Sequence, residues 1–179
     1  MTRIPFRRPE EMTKRARELT LERGNLNVYR ALANAENVFT GWMVAGRAAL
    51  TSPLVHARLR ELVVQHTAYL MDCRYELGQH TDIAPTAGIG EQEIKAVISE
   101  SDWGRAKFND IERSVLRLTS ELLTTRRVSA ALFDEVHEAL GSQATIEILL
   151  LIARYAGLAL MLNALDVDPD ENARLTIPG

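Results

Sequence analysis

The spacing of apolar residues is the feature that most constrains the fold of this chain. Along most of the 179 residues, apolar positions recur at intervals of three and four, as at Ile111, Val115, Leu118 and Leu122. This interval places side chains on one face of an α-helix. No segment alternates apolar and polar positions between turns, as a half-buried strand would. The sequence therefore predicts an all-α fold, a helical bundle that forms a single domain over residues 1–179.

Cap and turn residues divide this apolar pattern into separate helices. Gly24 and Gly141 stand where C-terminal caps belong, and Asp72 and Ser129 stand where N-terminal caps belong. The segments predicted to be helical are 10–23, 26–35, 39–50, 54–70, 73–81, 91–99, 110–123, 129–140 and 142–165. Loops are predicted at 83–90 and 101–107. Polar or proline-containing arms at 1–9 and 166–179 are expected to be mobile.

Charge and cysteine content narrow the classes of function. The net charge is -3 and basic residues do not cluster, so we expect no nucleic-acid partner. A single cysteine, Cys73, cannot form an intrachain disulfide, and no apolar run opens the chain, so we expect a cytoplasmic protein. The apolar stretch at 146–165 contains Glu147, Arg154 and Asn163. Charges are costly in lipid, so this stretch predicts a buried helix or an oligomer interface and no membrane span.

The densest set of proton-exchanging groups lies in the segment ELVVQHTAYLMDCRYELGQH. In a helix that begins at Cys73, the side chains of Cys73, Glu76 and His80 share one face. A carboxylate beside an imidazole holds its tautomer and raises its pKa, and the first helical turn favours a thiolate. If Glu61 folds back from the preceding helix, two carboxyl groups, the imidazole, the thiol and the phenol of Tyr75 meet. These are the groups of general acid–base catalysis.

The order and spacing of Glu61, Cys73, position 76 and His80 resemble the core motif of the AhpD-like alkylhydroperoxidases, in which the pattern is Glu, Cys, Cys, His. The loop that contains Gly88 and the helix after it resemble the same stretch in carboxymuconolactone decarboxylase-family proteins. The resemblance is specific over about residues 54–100 and looser elsewhere. It implies an AhpD-like helical bundle and a homo-oligomer, which would be a trimer, hexamer or dimer.

Glu76 stands where the AhpD pattern has its second cysteine. Without a vicinal pair, the chain cannot form the internal disulfide that AhpD-type peroxidases exchange with a partner. The decarboxylase branch is similar in lacking this pair, and it implies proton transfer next to a carbonyl. We therefore predict an acid–base enzyme of lyase or isomerase type, with no cofactor, acting on a small carbonyl, lactone or enol acid. In this hypothesis His80 carries the proton, and Glu76 either orients the His80 ring or is the second acid. Glu61 completes the relay, and Tyr75 donates a hydrogen bond to an enolate oxygen.

Three alternatives use the same segment differently. A one-cysteine thiol peroxidase would use Cys73 and requires a lowered thiol pKa. A metal site would use Glu61, Glu76 and His80, which is a thin ligand set. A non-catalytic oligomeric binding protein would keep the fold and lack activity.

Arg154 lies in the most apolar part of the chain and needs an explanation of its own. An apolar face rarely carries an unpaired arginine. Arg154 is expected either to pair with an acid such as Glu147 or to bind a substrate carboxylate through two hydrogen bonds. The aromatic residues Tyr29, Trp42 and Tyr155 are interpreted as core or pocket wall.

Overall fold

The structure, a computed structural model, describes residues 2–99, 103 and 106–170. These residues form helices and connecting turns and contain no strand, which confirms the predicted all-α fold. The helices are α1 (Lys14–Leu21), α2 (Asn27–Leu32), α3 (Glu36–Thr51), α4 (Ala57–Leu70), α5 (Arg74–Ile83), α6 (Glu91–Val97), α7 (Asp110–Thr125) and α8 (Ala130–Leu165). Short 3-10 turns lie at Pro9–Glu11 and Ala84–Ala87.

Helix α4 is the centre of the bundle. It packs against α5, α7 and α8, and every side chain from Glu61 to Ala68 is buried. A helix buried on all sides brings polar groups into the core, where each needs a partner. His66 meets this need with its two ring nitrogens, at 2.8 Å from the carbonyl oxygen of Val97 and 2.6 Å from the hydroxyl of Ser120.

Helix α8 is broken once, at Gly141. This residue has φ 75° and ψ 167°, a non-helical conformation suited to glycine, so two predicted helices meet there. Helix α8 is long and apolar enough to cross a membrane, but the core helix of a water-soluble bundle can have the same length and composition. Its inner face contributes Ile148 and Ile152 to the core. Its outer face exposes the apolar side chains of Ile146, Leu150 and Leu160.

Several helix starts differ from the prediction: α1 begins at Lys14 instead of residue 10, and α3 begins at Glu36 instead of residue 39. Helix α4 begins at Ala57 instead of residue 54, since the backbone of His56 is still non-helical (ψ 143°) and forms the N-cap. Helix α5 begins at Arg74, and its N-cap is Cys73. The predicted cap, Asp72, instead has φ 49°, the left-handed conformation that reverses the chain between α4 and α5. Asparagine and aspartate tolerate this conformation better than most side chains.

Hydrogen bonds join the described parts of both predicted arms to the helical body, and the mobility expected of the arms at 1–9 and 166–179 stays a prediction. The backbone N–H of Arg3 donates to the carbonyl of Leu165 at 2.8 Å. The backbone N–H of Asn27 donates to the carboxylate of Asp170 at 2.8 Å. Residues 171–179 of the expected tail, and four residues of the predicted loop at 101–107, lie outside the described residues.

Candidate active site

The turn at Asp72 folds α5 back against α4. The backbone N–H of Cys73 closes this turn on the carbonyl of Ala68 at 2.9 Å. As a result, Glu61 of α4 faces Glu76 and His80 of α5, although Glu61 and His80 lie 19 positions apart in the sequence. All three side chains are buried. The structure therefore brings together the two carboxyl groups and the imidazole that the sequence assigned to one site.

His80 bridges the two carboxylates through its two ring nitrogens. Its Nδ1 lies 2.9 and 3.0 Å from the two carboxylate oxygens of Glu61. Its Nε2 lies 3.4 Å from Oε2 of Glu76, one helical turn earlier. Behind Glu61, the side-chain amide of Gln65 donates to Glu61 Oε1 at 3.4 Å. The result is a continuous polar chain from the interior of α4 to Glu76.

The two carboxylates control the protonation of His80. Burial lowers the pKa of the imidazole, but the hydrogen bonds and negative charges of Glu61, and then of Glu76, outweigh burial and raise the pKa from 6.5 to about 10. At neutral pH His80 is therefore an imidazolium that donates from both nitrogens.

A pocket opens on this cluster from the side of α2, α3 and α8. Its volume is about 90 Å³, which suits a small molecule or a few waters. Glu76 and His80 form part of its polar wall. Tyr29, Trp42 and Tyr155 form aromatic wall, which confirms their interpretation as wall residues. The Tyr155 ring meets the His80 ring edge-on, with 5.4 Å between centroids.

Arg154 lies in the same pocket wall. Its guanidinium stacks on the ring of Trp42 at 4.2 Å and donates to the Trp42 carbonyl at 3.1 Å. The expected pairing with Glu147 does not form, since Glu147 accepts a hydrogen bond from the hydroxyl of Ser52 at 2.5 Å. Within the described ranges, no carboxylate forms an ion pair with Arg154.

Cys73 is fully buried in the main core, and it does not line the pocket. Burial raises the pKa of the thiol to about 11, although backbone N–H groups of Glu76 and Tyr75 lower it in part. At neutral pH the thiol is protonated and shielded from solvent. Both properties oppose the thiolate chemistry that a one-cysteine peroxidase requires.

The hydroxyl of Tyr75 is engaged by the C-terminal segment. It donates to the carboxylate of Asp170 and accepts the backbone N–H of Val28 at 3.2 Å. The amide of Gln79 also donates to Asp170, at 3.1 Å. Because a phenol has a single proton, Tyr75 can donate to a substrate oxygen only after it leaves Asp170. No feature of the sequence pointed to this contact, since Asp170 lies 95 positions after Tyr75.

The sequence also left open a metal site at Glu61, Glu76 and His80. In the part of the chain that the structure describes, no group of three or more His, Cys, Asp or Glu side chains is arranged to hold a metal ion. His80 has both nitrogens directed at carboxylates, so neither lone pair is free for a metal in this arrangement.

Comparisons with known proteins agree on the fold. No protein-family model matches the chain, and no curated protein matches its sequence. Several solved structures are similar to it. An uncharacterized peroxidase-related protein with an AhpD core, from Ralstonia eutropha JMP134, has a TM-score of 0.83 at 18% identity, covering 95% of this chain and 93% of that one.

A second peroxidase-related protein, from Silicibacter sp. TM1040, has a TM-score of 0.75 at 13% identity, with 87% and 83% covered. The debrominase Bmp8, in complex with 2,3,4-tribromopyrrole, has a TM-score of 0.70 at 15% identity, with 81% and 76% covered. Such low identities establish shared architecture alone. This chain therefore has the AhpD-like fold, as its motif predicted.

Proposed function

We propose that this protein is an acid–base enzyme, of lyase or isomerase type, that moves a proton on a small carbonyl, lactone or enol acid. The observation that carries the proposal is the hydrogen-bonded chain from Glu61 through His80 to Glu76, which ends on the pocket wall. A carboxylate poised beside a charged imidazole can take up and return a proton. That the fold neighbours include an enzyme described as a debrominase supports catalysis in this architecture.

In this proposal Glu76 is the group that meets the substrate. The nitrogens of His80 both face carboxylates, whereas Glu76 has only one of its oxygens opposite His80. Glu76 accepts a proton from the carbon beside the carbonyl, and the C–H electron pair moves toward the carbonyl oxygen. The proton then returns to a different carbon in an isomerisation. In a decarboxylation no C–H bond breaks: the C–C bond to the carboxylate breaks as carbon dioxide leaves, its electron pair moves toward the carbonyl oxygen, and the carbon then receives a proton that the Glu76 carboxyl group has taken from water.

His80 and Glu61 support Glu76 from behind. The imidazolium stabilises the negative charge of Glu76 before the proton transfer. It can also donate its own proton to Glu76 when Glu76 has given a proton to the substrate. Glu61 fixes the orientation of the ring through both of its oxygens. A residue that acts through another in this manner is a positioning residue, and its loss is expected to change the pH profile as well as the rate.

The experiment is a proton-exchange assay that does not require the substrate to be known in advance. A panel of small keto, enol and lactone acids is incubated with the protein in D2O, and deuterium uptake or carbon dioxide release is followed. We expect turnover of at least one member, and a loss of about 100-fold or more in Glu76→Gln. The control is Glu91→Gln, at an exposed glutamate paired with Lys95, which is expected to keep full activity. Equal rates in Glu76→Gln and the unchanged protein would overturn the proposal.

A further inference from the structure

Three arginines line the pocket, Arg23, Arg47 and Arg154, and Arg154 is the one whose guanidinium stacks on an aromatic ring of the pocket wall. Arg154 is half-buried, and its hydrogen bonding within the described residues is limited to the Trp42 carbonyl. A guanidinium has five N–H donors, so most of its donors are available. Burial lowers the pKa of Arg154, because removing a guanidinium from water disfavours its charged form.

The surroundings of Arg154 hold the guanidinium in one place. It lies on the face of Trp42, and Gly46 on the same helix leaves the space that it occupies. A Cβ atom at position 46 would stand 2.1 Å from Nη2 of Arg154, so no other side chain fits there while the guanidinium stays in place. Because stacking and close packing fix the plane of the guanidinium, less conformational entropy is lost when it binds a ligand.

The position of Arg154 in the pocket relates it to the proton-transfer chain. Arg154 and Tyr155 are consecutive on α8, and Tyr155 contacts His80. The charge of Glu76 acts on Arg154 and raises its pKa in part. A negatively charged ligand entering this pocket would be repelled by the carboxylate of Glu76 unless a cation in the pocket lining offset that repulsion. Arg154 is such a cation.

We propose that Arg154 binds the carboxylate of the substrate, so that the pocket selects small monocarboxylic acids. A guanidinium fork matches a carboxylate in two parallel hydrogen bonds, and a small neutral amide cannot replace that charge. The identity of the ligand as substrate rests on the proposed function. The anion site itself does not, because binding can be measured without turnover.

The test uses the emission of Trp42 as a reporter of the ring that stacks on Arg154. Trp103→Phe removes the other tryptophan, so that Trp42 is the sole emitter. Propionate is titrated at constant ionic strength, with propionamide as the neutral probe of the same size. We expect a saturable change with propionate alone. In the same background, Arg154→Gln is expected to weaken propionate binding by at least tenfold, and Arg154→Lys is expected to bind with intermediate affinity.

A matched control is Arg47→Gln, which removes the same charge from an exposed arginine at the rim of the same pocket. Its effect is expected to stay within about threefold, since exposed charges are screened. Equal binding of propionate and propionamide, equal binding by Arg154→Gln, or no saturable change below 50 mM propionate would each overturn the proposal. If Glu76→Gln binds propionate normally yet keeps full turnover, the proposed function fails while the anion site stands.

Discussion

Arg58 and His80 each lie between two glutamates, and the two clusters differ in their location and in the groups that fix the glutamates. Arg58 of α4 lies between Glu93 and Glu112, at 2.6 and 2.7 Å. His80 of α5 lies between Glu61 and Glu76, at 2.9 and 3.4 Å. The Arg58 cluster joins three helices near the surface. The His80 cluster forms part of a pocket wall.

The glutamates of the Arg58 cluster are also fixed by backbone groups. The N–H of Gly90 donates to Glu93 at 2.8 Å, and the N–H of Asn109 donates to Glu112 at 2.9 Å, as helix caps do. In the His80 cluster, Glu61 receives a side-chain amide from Gln65. An arginine keeps its charge at all physiological pH values, whereas a histidine can release its proton. One charge pattern therefore stabilises the packing of three helices at Arg58, and in the proposed function a similar pattern at His80 serves proton transfer.

The largest expected effect separates the two clusters by activity. Glu76→Gln should lower the rate of proton exchange by about 100-fold or more, because it removes the base in the pocket. Glu93→Gln, the same change in the Arg58 cluster, should leave the rate unchanged within about threefold once folding is confirmed by circular dichroism. A comparable loss of activity in both variants would show that folding, and not chemistry, had been damaged.

The second prediction distinguishes the Arg58 cluster from the His80 cluster by its contribution to the free energy of unfolding. Arg58→Met should lower the free energy of unfolding by about 2 kcal/mol, because two poorly exposed carboxylates lose hydrogen bonds to a charged partner. Urea unfolding measures the change. The control is Arg117→Met, which breaks the exposed pair with Glu135 and should cost no more than about 1 kcal/mol. Equal losses would mean that the Arg58 cluster is an ordinary surface ion pair.

The third prediction distinguishes the two clusters by how their contributions to stability depend on pH. The pKa of His80 is raised in the folded protein, so its charge contributes stability that is complete below pH 6.5 and is lost as the pH rises toward about 10. The stability difference between the unchanged protein and His80→Gln should therefore shrink over this range, with a slope of at most about 1.4 kcal/mol per pH unit. The difference for Arg58→Met should stay constant from pH 6.5 to 10, because an arginine does not titrate there. A constant difference for His80→Gln would contradict the raised pKa.

The smallest effect concerns the thiol next to the His80 cluster. Cys73→Ala should change the proton-exchange rate less than about twofold and lower the free energy of unfolding by about 1 kcal/mol, as for a small buried side chain. Alkylation of the native thiol by iodoacetamide at pH 8 should be far slower than alkylation in urea. Rapid native alkylation, with activity lost in Cys73→Ala, would restore the thiol peroxidase hypothesis.

The parts of the site that could be predicted from sequence are those joined by local structure. Helical spacing places Glu76 beside His80, and one short turn at Asp72 is enough to bring Glu61 to them. Arg154 was recognised as unusual, but its position over Trp42 depends on the packing of helices whose residues are 112 positions apart. The contact between Tyr75 and Asp170 depends on the path of the chain after α8, for which helical periodicity carries no information.

The all-α fold could be predicted for a similar reason, since each helix is encoded by its own apolar pattern and caps. Gly141 marked the break in α8, because the chain there has a positive φ, which glycine adopts more readily than other residues. The burial of α4 on all sides, and with it the buried positions of Gln65 and His66, arises from three neighbouring helices at once. The homo-oligomer, the cytoplasmic location and the absence of nucleic-acid and membrane partners stay predictions.

The most direct test of this account is the protonation state of His80 at pH 8. Nitrogen-15 NMR of protein labelled at histidine reports both ring nitrogens, and the spectrum of His80→Gln assigns the signals. We expect Nδ1 and Nε2 both to carry protons, as in an imidazolium held between Glu61 and Glu76. A neutral ring, with one nitrogen unprotonated at pH 8, would contradict the bridging arrangement on which the proposed proton transfer depends.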